Sequence, residues 1–550
     1  MPSRSTIGYA CTAAALAVVA AIAYDAIPDL PLAPQSDEPK KADFVLAGGQ
    51  DFLQPLLLVQ TVRLANLIAR YTDQLALVEL GRTVAAMFGG LTVLATIVLA
   101  RRVVGRPLAL AAGLLAAVTP LVAFHAQLLK EDIFVAPWLL FALAALDRLR
   151  ENAETRRGLA FGLLVGLATS AKYIGIVLLP LACVVPLIAP IADLRRYYAA
   201  LTWSAGTAVV VFALINAPAF LTPEIFVQGL NTEIAHALSN HIIVWHGWYS
   251  YFLFHWTTSL WPGLGPALAA AGVAGALLVA ASWRSSPPAI RLVLVFAVLW
   301  YFMHELSPMK PFMAIERHMT VMGGLFAVLA VNLVERLCQR APGAWRAALA
   351  TCAIGVMAVP PAVSTLAIAR SAPHDTRAMV ERVRAALDGR DAVDWYATFP
   401  GYGHYPPLSK IEGATDYVVL VQETAKRFAQ SSSFARQSDR ARGYARAYGE
   451  LLARPAILVI DRWQLFLPQR AAANRRAAQR CRAARRRSRQ ARAAARHPPH
   501  PVAGSGVRRD NNLSGGLNRR RYFHSRTSTK CPAIAAAAAM AGDTRWVRPL

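Results

Sequence analysis

Eleven apolar stretches, separated by loops that carry arginine at every second turn, constrain this 550-residue chain more than any other feature. They lie at 7–24, 83–100, 108–124, 133–146, 158–170, 173–192, 199–217, 263–283, 289–303, 319–334 and 347–369. A bilayer core takes roughly 20 apolar residues of helix. In lipid, only helices and closed barrels satisfy their own backbone. The pattern predicts an all-α polytopic membrane bundle of about eleven transmembrane helices over residues 1–370, with 133–146 and 158–170 the shortest members. With 55% of its residues hydrophobic, the chain is too apolar for a soluble globule of this length. The first stretch follows Arg4 as a secretory signal would. No small-x-small cleavage site follows it, so it reads as an uncleaved first helix.

The basic residues orient the bundle. One set of alternate loops holds Arg101, Arg102 and Arg106, then Arg148, Arg150, Arg156 and Arg157, then Arg195 and Arg196, then Arg284 and Arg291, then Arg336, Arg340 and Arg346. Together with Arg4, these mark the cytoplasmic face. The N-terminus is then inside, the C-terminal segment outside, and the expected location is a bacterial inner (plasma) membrane. Two of the outer loops are long. Residues 25–82 contain an amphipathic stretch at 52–69 suited to the interface, and residues 220–262 are rich in Trp, Tyr and His.

The net charge of +26 invites a nucleic-acid reading, but its distribution excludes one. Residues 470–550 carry 20 Lys/Arg against 2 Asp/Glu, which leaves +8 for the preceding 469 residues. This Arg/Ala-rich tail has no apolar periodicity and reads as disordered. Its composition is also what a GC-rich gene yields when read out of frame. Between bundle and tail, residues 371–469 read as a small extracytoplasmic α/β domain. Its buried strands are expected at 417–421 and 456–460, with a helix near Tyr444 and Tyr448 between them. The six cysteines form no CxxC or framework spacing, so neither a zinc site nor a disulfide scaffold is indicated.

Four polar clusters fall on the outer side. Asp37 and Glu38 precede the interfacial stretch. A carboxylate there can act as general base on an acceptor hydroxyl or amine, although a DE pair is also an ordinary solvated pair. Lys130, Glu131 and Asp132, with His125 before them, sit at the head of the fourth stretch, where acids also suit a helix N-terminus. Lys130 sits on the side that avoids positive charge. Lys172 and Tyr173 divide the fifth and sixth stretches. A lysine there can simply snorkel to the interface, yet ionisable groups at such borders are functional candidates. His304, Glu305, Lys310, Glu316, Arg317 and His318 lead into the tenth stretch, where Arg317 suits bidentate phosphate binding and Lys310 adds charge, the alternative being a helix anchor. The aromatics Trp245, His246, Trp248, Tyr249, Tyr251, His255, Trp256 and Trp261 read first as an interfacial belt and second as sugar-stacking groups. A carboxylate pair and isolated cations on one face fit chemistry on an anionic lipid headgroup. The cations would hold a phosphate leaving group while the carboxylate deprotonates the nucleophile.

At these residues the sequence resembles the GT-C superfamily of membrane glycosyltransferases, in particular the bacterial relatives of protein O-mannosyltransferases and the aminoarabinose transferases (the family 39-like group). The matching pieces are SDEPKKADF, KEDIF, GLLVGLATSAKYIG and ERHMTVMGG, in order and in a matching topology over roughly residues 1–370. The resemblance implies inverting transfer from a polyprenyl-phosphate sugar to a glycan, glycolipid or protein acceptor outside the cytoplasm. It implies Asp37 as base, with Glu38 beside it. It also implies Lys130, Lys172 and Arg317 at the donor phosphate or cavity, with Glu131 and Asp132 on a second acidic motif; Tyr173, Lys310 and His318 adjoin them. Two positions depart from the family pattern: Gln54, where relatives often carry histidine, and His318, where an aromatic residue is common. No cofactor is expected with certainty, and a divalent metal is allowed but not indicated. Two other readings stay open: a transporter or flippase for a lipid-linked or anionic solute, and a non-catalytic protein that binds polyprenyl phosphate.

Overall fold

The computed structural model describes residues 37–371 apart from 49, 239–242, 246–251 and 308–316. Beyond them it describes only 393–395, 417–421, 435–437, 442–443, 446, 456–460 and 463–466. The stretch at 7–24, the tail at 470–550 and Lys310 lie outside the described residues.

Among the described residues, fourteen helices of six or more residues carry the architecture: α1 (Asp37–Ala47), α2 (Leu57–Ala69), α3 (Gln74–Ala100), α4 (Arg106–Val118), α5 (Pro120–His125), α6 (Glu131–Glu151), α7 (Thr155–Ala171), α8 (Leu178–Ile188), α9 (Leu194–Ile215), α10 (Pro223–Leu238), α11 (Pro266–Ala281), α12 (Pro288–Glu305), α13 (Thr320–Cys338) and α14 (Gly343–Ser371). Their starts follow local chemistry. Asp73 accepts the Ala76 amide at the head of α3, and Asp193 accepts the Arg196 amide at the head of α9.

Five helical segments among the described residues are long and apolar enough to cross a membrane: Ala76–Ala100, Leu194–Ile215, Pro288–Glu305, Arg317–Cys338 and Trp345–Ala367. A sixth counts if Trp256–Leu264 and Pro266–Ala281, bent by 108°, make one broken span. The sequence reading expects about eleven, and the difference has local causes. The stretch at 108–124 is cut at Thr119, which caps the Val122 amide ahead of Pro120. That at 173–192 opens as a 3-10 turn, Tyr173–Val177, before α8. The stretch at 158–170 lies in the 17-residue α7, and α6 is 21 residues long but bears acids at both ends. The bend falls at Gly265, whose φ of +76° is open to a residue without a Cβ.

At the centre lies α6, buried along nearly its whole length and packed against α3, α7 and α13. The tightest seam joins α7 to α9. A Cβ added to Gly158, Gly162 or Gly166 would lie 2.5 Å from Ala200 O, 2.3 Å from Ser204 O and 2.6 Å from Val211 Cβ. This small-xxx-small stripe brings two backbones together as membrane helices do, and Ser204 Oγ donates to Gly158 O across it at 2.8 Å.

Beyond the bundle, β2 (Val393–Trp395), β3 (Tyr417–Val421), β5 (Ala456–Ile460) and β6 (Trp463–Phe466) form a sheet in the order β2-β3-β6-β5, parallel only between β2 and β3. Separately, β1 (Ile243–Trp245) pairs antiparallel with β4 (Ala435–Gln437). Tyr444 and Tyr448 lie outside the described residues.

Candidate functional site

Five chain segments bring charge to one end of the bundle. Asp37 is the first residue of α1, and its side chain lies outside the description. Its neighbour Glu38 is wholly buried. The Arg82 guanidinium from α3 donates through Nε to Glu38 Oε1 at 3.1 Å and through Nη2 to Oε2 at 2.7 Å; the Leu129 amide adds 2.8 Å to Oε1. Three donors thus hold Glu38, and it pins α1 to α3 and to the chain entering α6. One turn beyond Asp37, Lys41 pairs with Glu131 Oε1 at 2.5 Å and donates to Leu129 O at 3.3 Å. Lys130, 1% exposed, sits beside Glu131 as the residue before α6.

Asp132 gathers the second half of the site. Lys172, at the junction of α7 and the 3-10 turn, donates to Asp132 Oδ1 at 2.6 Å. Arg317 Nε lies 3.3 Å from Oδ2, and His318 Nε2 lies 4.0 Å from Oδ1. Both acids precede the apolar run that begins at Ile133. Burial alone would push the Asp132 carboxyl up, but Lys172, His318 and Arg317 outweigh it and hold it well below the usual carboxylate range. Burial likewise opposes ionisation of Glu131, and Lys41 with Lys130 outweighs it. Counted over these described side chains, the cations Lys41, Arg82, Lys130, Lys172 and Arg317 exceed the carboxylates Glu38, Glu131 and Asp132 by two. A buried site with excess positive charge suits an anionic ligand.

Tyr173 donates its hydroxyl to Phe52 O at 2.9 Å, so it fastens the loop between α1 and α2. Phe52 holds a left-handed φ of +49° while 1% exposed, a conformation maintained only by strong surroundings. Gln54 donates to Glu233 of α10 at 2.7 Å. In the aromatic loop, His246, Trp248, Tyr249 and Tyr251 lie outside the described residues and Trp245 lies in β1. His255 is buried, while Trp256 packs on Trp261 and Phe326 at 6.1 and 6.3 Å between ring centroids. Trp256 is half-buried and Trp261 is exposed, so the pair sits at the surface of the bundle.

The structure thus joins Glu38, Lys130, Glu131, Asp132, Lys172, Arg317 and His318, and adds Arg82 and Lys41. Arg82 reads in the sequence as an ordinary loop-end arginine; its one unusual sign is its place within a largely apolar helix. Lys41 stands four residues after Asp37, on the same helical face, and that spacing was its signal. Among the described residues, no group of three or more His, Cys, Asp or Glu is arranged to hold a metal ion.

Residues 76–220 match the family model for dolichyl-phosphate-mannose-protein mannosyltransferase. No curated protein matches the chain by sequence. Among solved structures, ArnT from Cupriavidus metallidurans bound to undecaprenyl phosphate aligns with a TM-score of 0.52 at 14% identity, over 76% of this chain and 95% of that one. The oligosaccharyltransferase AglB from Archaeoglobus fulgidus, in complex with an inhibitory peptide and a dolichol-phosphate, aligns with a TM-score of 0.52 at 13% identity, over 81% and 72%. At such identities the likeness is one of fold.

Proposed function

We propose, from the premise that this integral membrane chain has the GT-C glycosyltransferase fold, that it transfers a sugar from a polyprenyl-phosphate donor to an acceptor on the extracytoplasmic side. The carrying observation is the convergence of Lys172 and Arg317 on the buried Asp132 from two separate elements, within a cluster of net positive charge. The matched structures add support, since one holds undecaprenyl phosphate and another dolichol-phosphate.

In the proposed step, the acceptor oxygen attacks the anomeric carbon from the face opposite the phosphate, so configuration inverts. The bond from that carbon to the phosphate oxygen breaks, and its electron pair leaves on polyprenyl phosphate. Asp37 takes the acceptor proton, and Lys172 and Arg317 stabilise the charge that develops on the leaving oxygen. Glu38 is held by Arg82 and the Leu129 amide, which leaves the base role to Asp37 and gives Glu38 that of fixing α1. A phosphate monoester can leave against lysine and arginine alone, and a divalent metal stays allowed beside them.

The test supplies membranes containing the protein with a polyprenyl-phosphate sugar and follows release of polyprenyl phosphate. Asp37→Asn should abolish release, and Lys172→Ala and Arg317→Ala should raise the donor KM more than the acceptor KM. Unchanged release in Asp37→Asn would refute the base. Solute uptake without sugar transfer would instead favour a transporter.

A further inference from the structure

We propose that Trp300 is a positioning residue that sets Arg317 against the donor phosphate; this rests on the function proposed above. Trp300 is 2% exposed on α12, and its indole Nε1 donates to His318 O at 2.8 Å. His318 is the middle residue of the single 3-10 turn Arg317–Met319 that delivers the Arg317 side chain. The turn opens the continuous helical segment Arg317–Cys338 and sits at its end, where the Thr320 hydroxyl donates to Arg317 O at 2.5 Å. Helix α13 sets where the turn begins, and the Trp300 bond and the Arg317 contact with Asp132 fix its free end sideways.

The indole is itself fixed. Phe296, Trp300 and His304 are spaced i, i+4, i+8 and form one stripe on α12, with ring centroids 5.6 Å and 4.9 Å apart. His304 Nδ1 bonds Trp300 O at 2.9 Å, which requires the proton on Nδ1 because a carbonyl can only accept. The His304 ring also lies 5.4 Å from that of His318. One residue further, the buried Glu305 accepts the Phe254 amide at 2.6 Å and the His255 amide at 2.9 Å. The end of α12 is therefore clamped on both sides, and Trp300 projects from a rigid base. An indole N–H on a backbone carbonyl constrains where a turn sits without touching the group that turn presents.

Trp300→Phe keeps a ring in the stripe and removes the donor together with the smaller part of the indole, and unchanged kcat and acceptor KM separate the lost bond from a general packing defect. Losing one such bond should weaken donor use by about three- to tenfold, seen as a raised donor KM with kcat and acceptor KM little changed. Affinity for undecaprenyl phosphate itself, measured by titration of the purified protein, should fall by the same factor. In an Arg317→Ala background the Trp300→Phe effect should vanish, because the indole would have nothing left to position. An undiminished effect in that background, or donor KM and undecaprenyl-phosphate affinity equal to wild type, would overturn the proposal. Wild-type protein that binds no undecaprenyl phosphate would instead sink the functional reading beneath it.

Discussion

The Glu38–Arg82 pair offers a prediction whose size follows from burial. The two side chains are 0% and 1% exposed and joined by two hydrogen bonds, with the Leu129 amide as a third donor. Arg82→Met removes the guanidinium and leaves Glu38 charged, buried and holding only that amide. Stranding one partner of such a pair costs about 3–5 kcal/mol, or two to three and a half decades in the folded-to-unfolded ratio. Glu38→Leu takes the carboxylate away from the arginine and should also destabilise. The double variant strands neither charge of this pair. Its remaining defect is the orphaned Leu129 amide, worth about 1–3 kcal/mol, so it should be more stable than either single variant. Thermal unfolding in one detergent at one scan rate, followed by tryptophan fluorescence, ranks the four proteins even where unfolding is irreversible. A double variant no more stable than the worse single one would refute the buried-charge reasoning. The same series also bears on chemistry: the double variant should refold α1 yet transfer sugar poorly, because the clamp beside Asp37 would be gone.

Two further outcomes follow. Gly162→Val should destabilise by roughly 1–3 kcal/mol or more, since its Cβ would meet the Ser204 carbonyl at 2.3 Å and neither backbone can yield; reduced folded yield on size exclusion checks this. The depressed Asp132 carboxyl contributes stability that is present above its unfolded value and is lost as pH falls through its lower folded value. The gap in Tm between wild type and Asp132→Asn should therefore hold from pH 8 to 5 and shrink only below about pH 4. A gap that closes near neutral pH would contradict it.

Much of this arrangement was legible before any coordinates. Lys130, Lys172 and Arg317 stood out because they break the charge asymmetry of the loops, and Lys172 and Arg317 meet on Asp132. Arginine counting reads each loop separately, because the cost of carrying charge through lipid acts on each. Other features were hidden. The Glu38–Arg82 pair spans 44 residues, and no local pattern encodes a contact between segments so far apart in sequence. The Thr119–Pro120 break was written in the sequence, but an apolar run masked it: hydropathy sums over a window, whereas a proline acts at one amide. The glycine stripe of α7 is periodic and visible in GLAFGLLVGLA. It escaped because glycine adds little to an apolar average, although it decides how close a neighbouring helix can come.

That stripe has a mechanical consequence. With three side-chain-free positions locked into the backbone and side chains of α9, α7 can neither slide along its axis nor turn about it without collision. The two helices move as one beam, and Lys172 stands at the tip of it. For a lipid-linked donor of the kind proposed, the parts beside that pair with fewer fixed contacts would have to give the clearance: the 3-10 turn that follows Lys172, and the segment bent at Gly265.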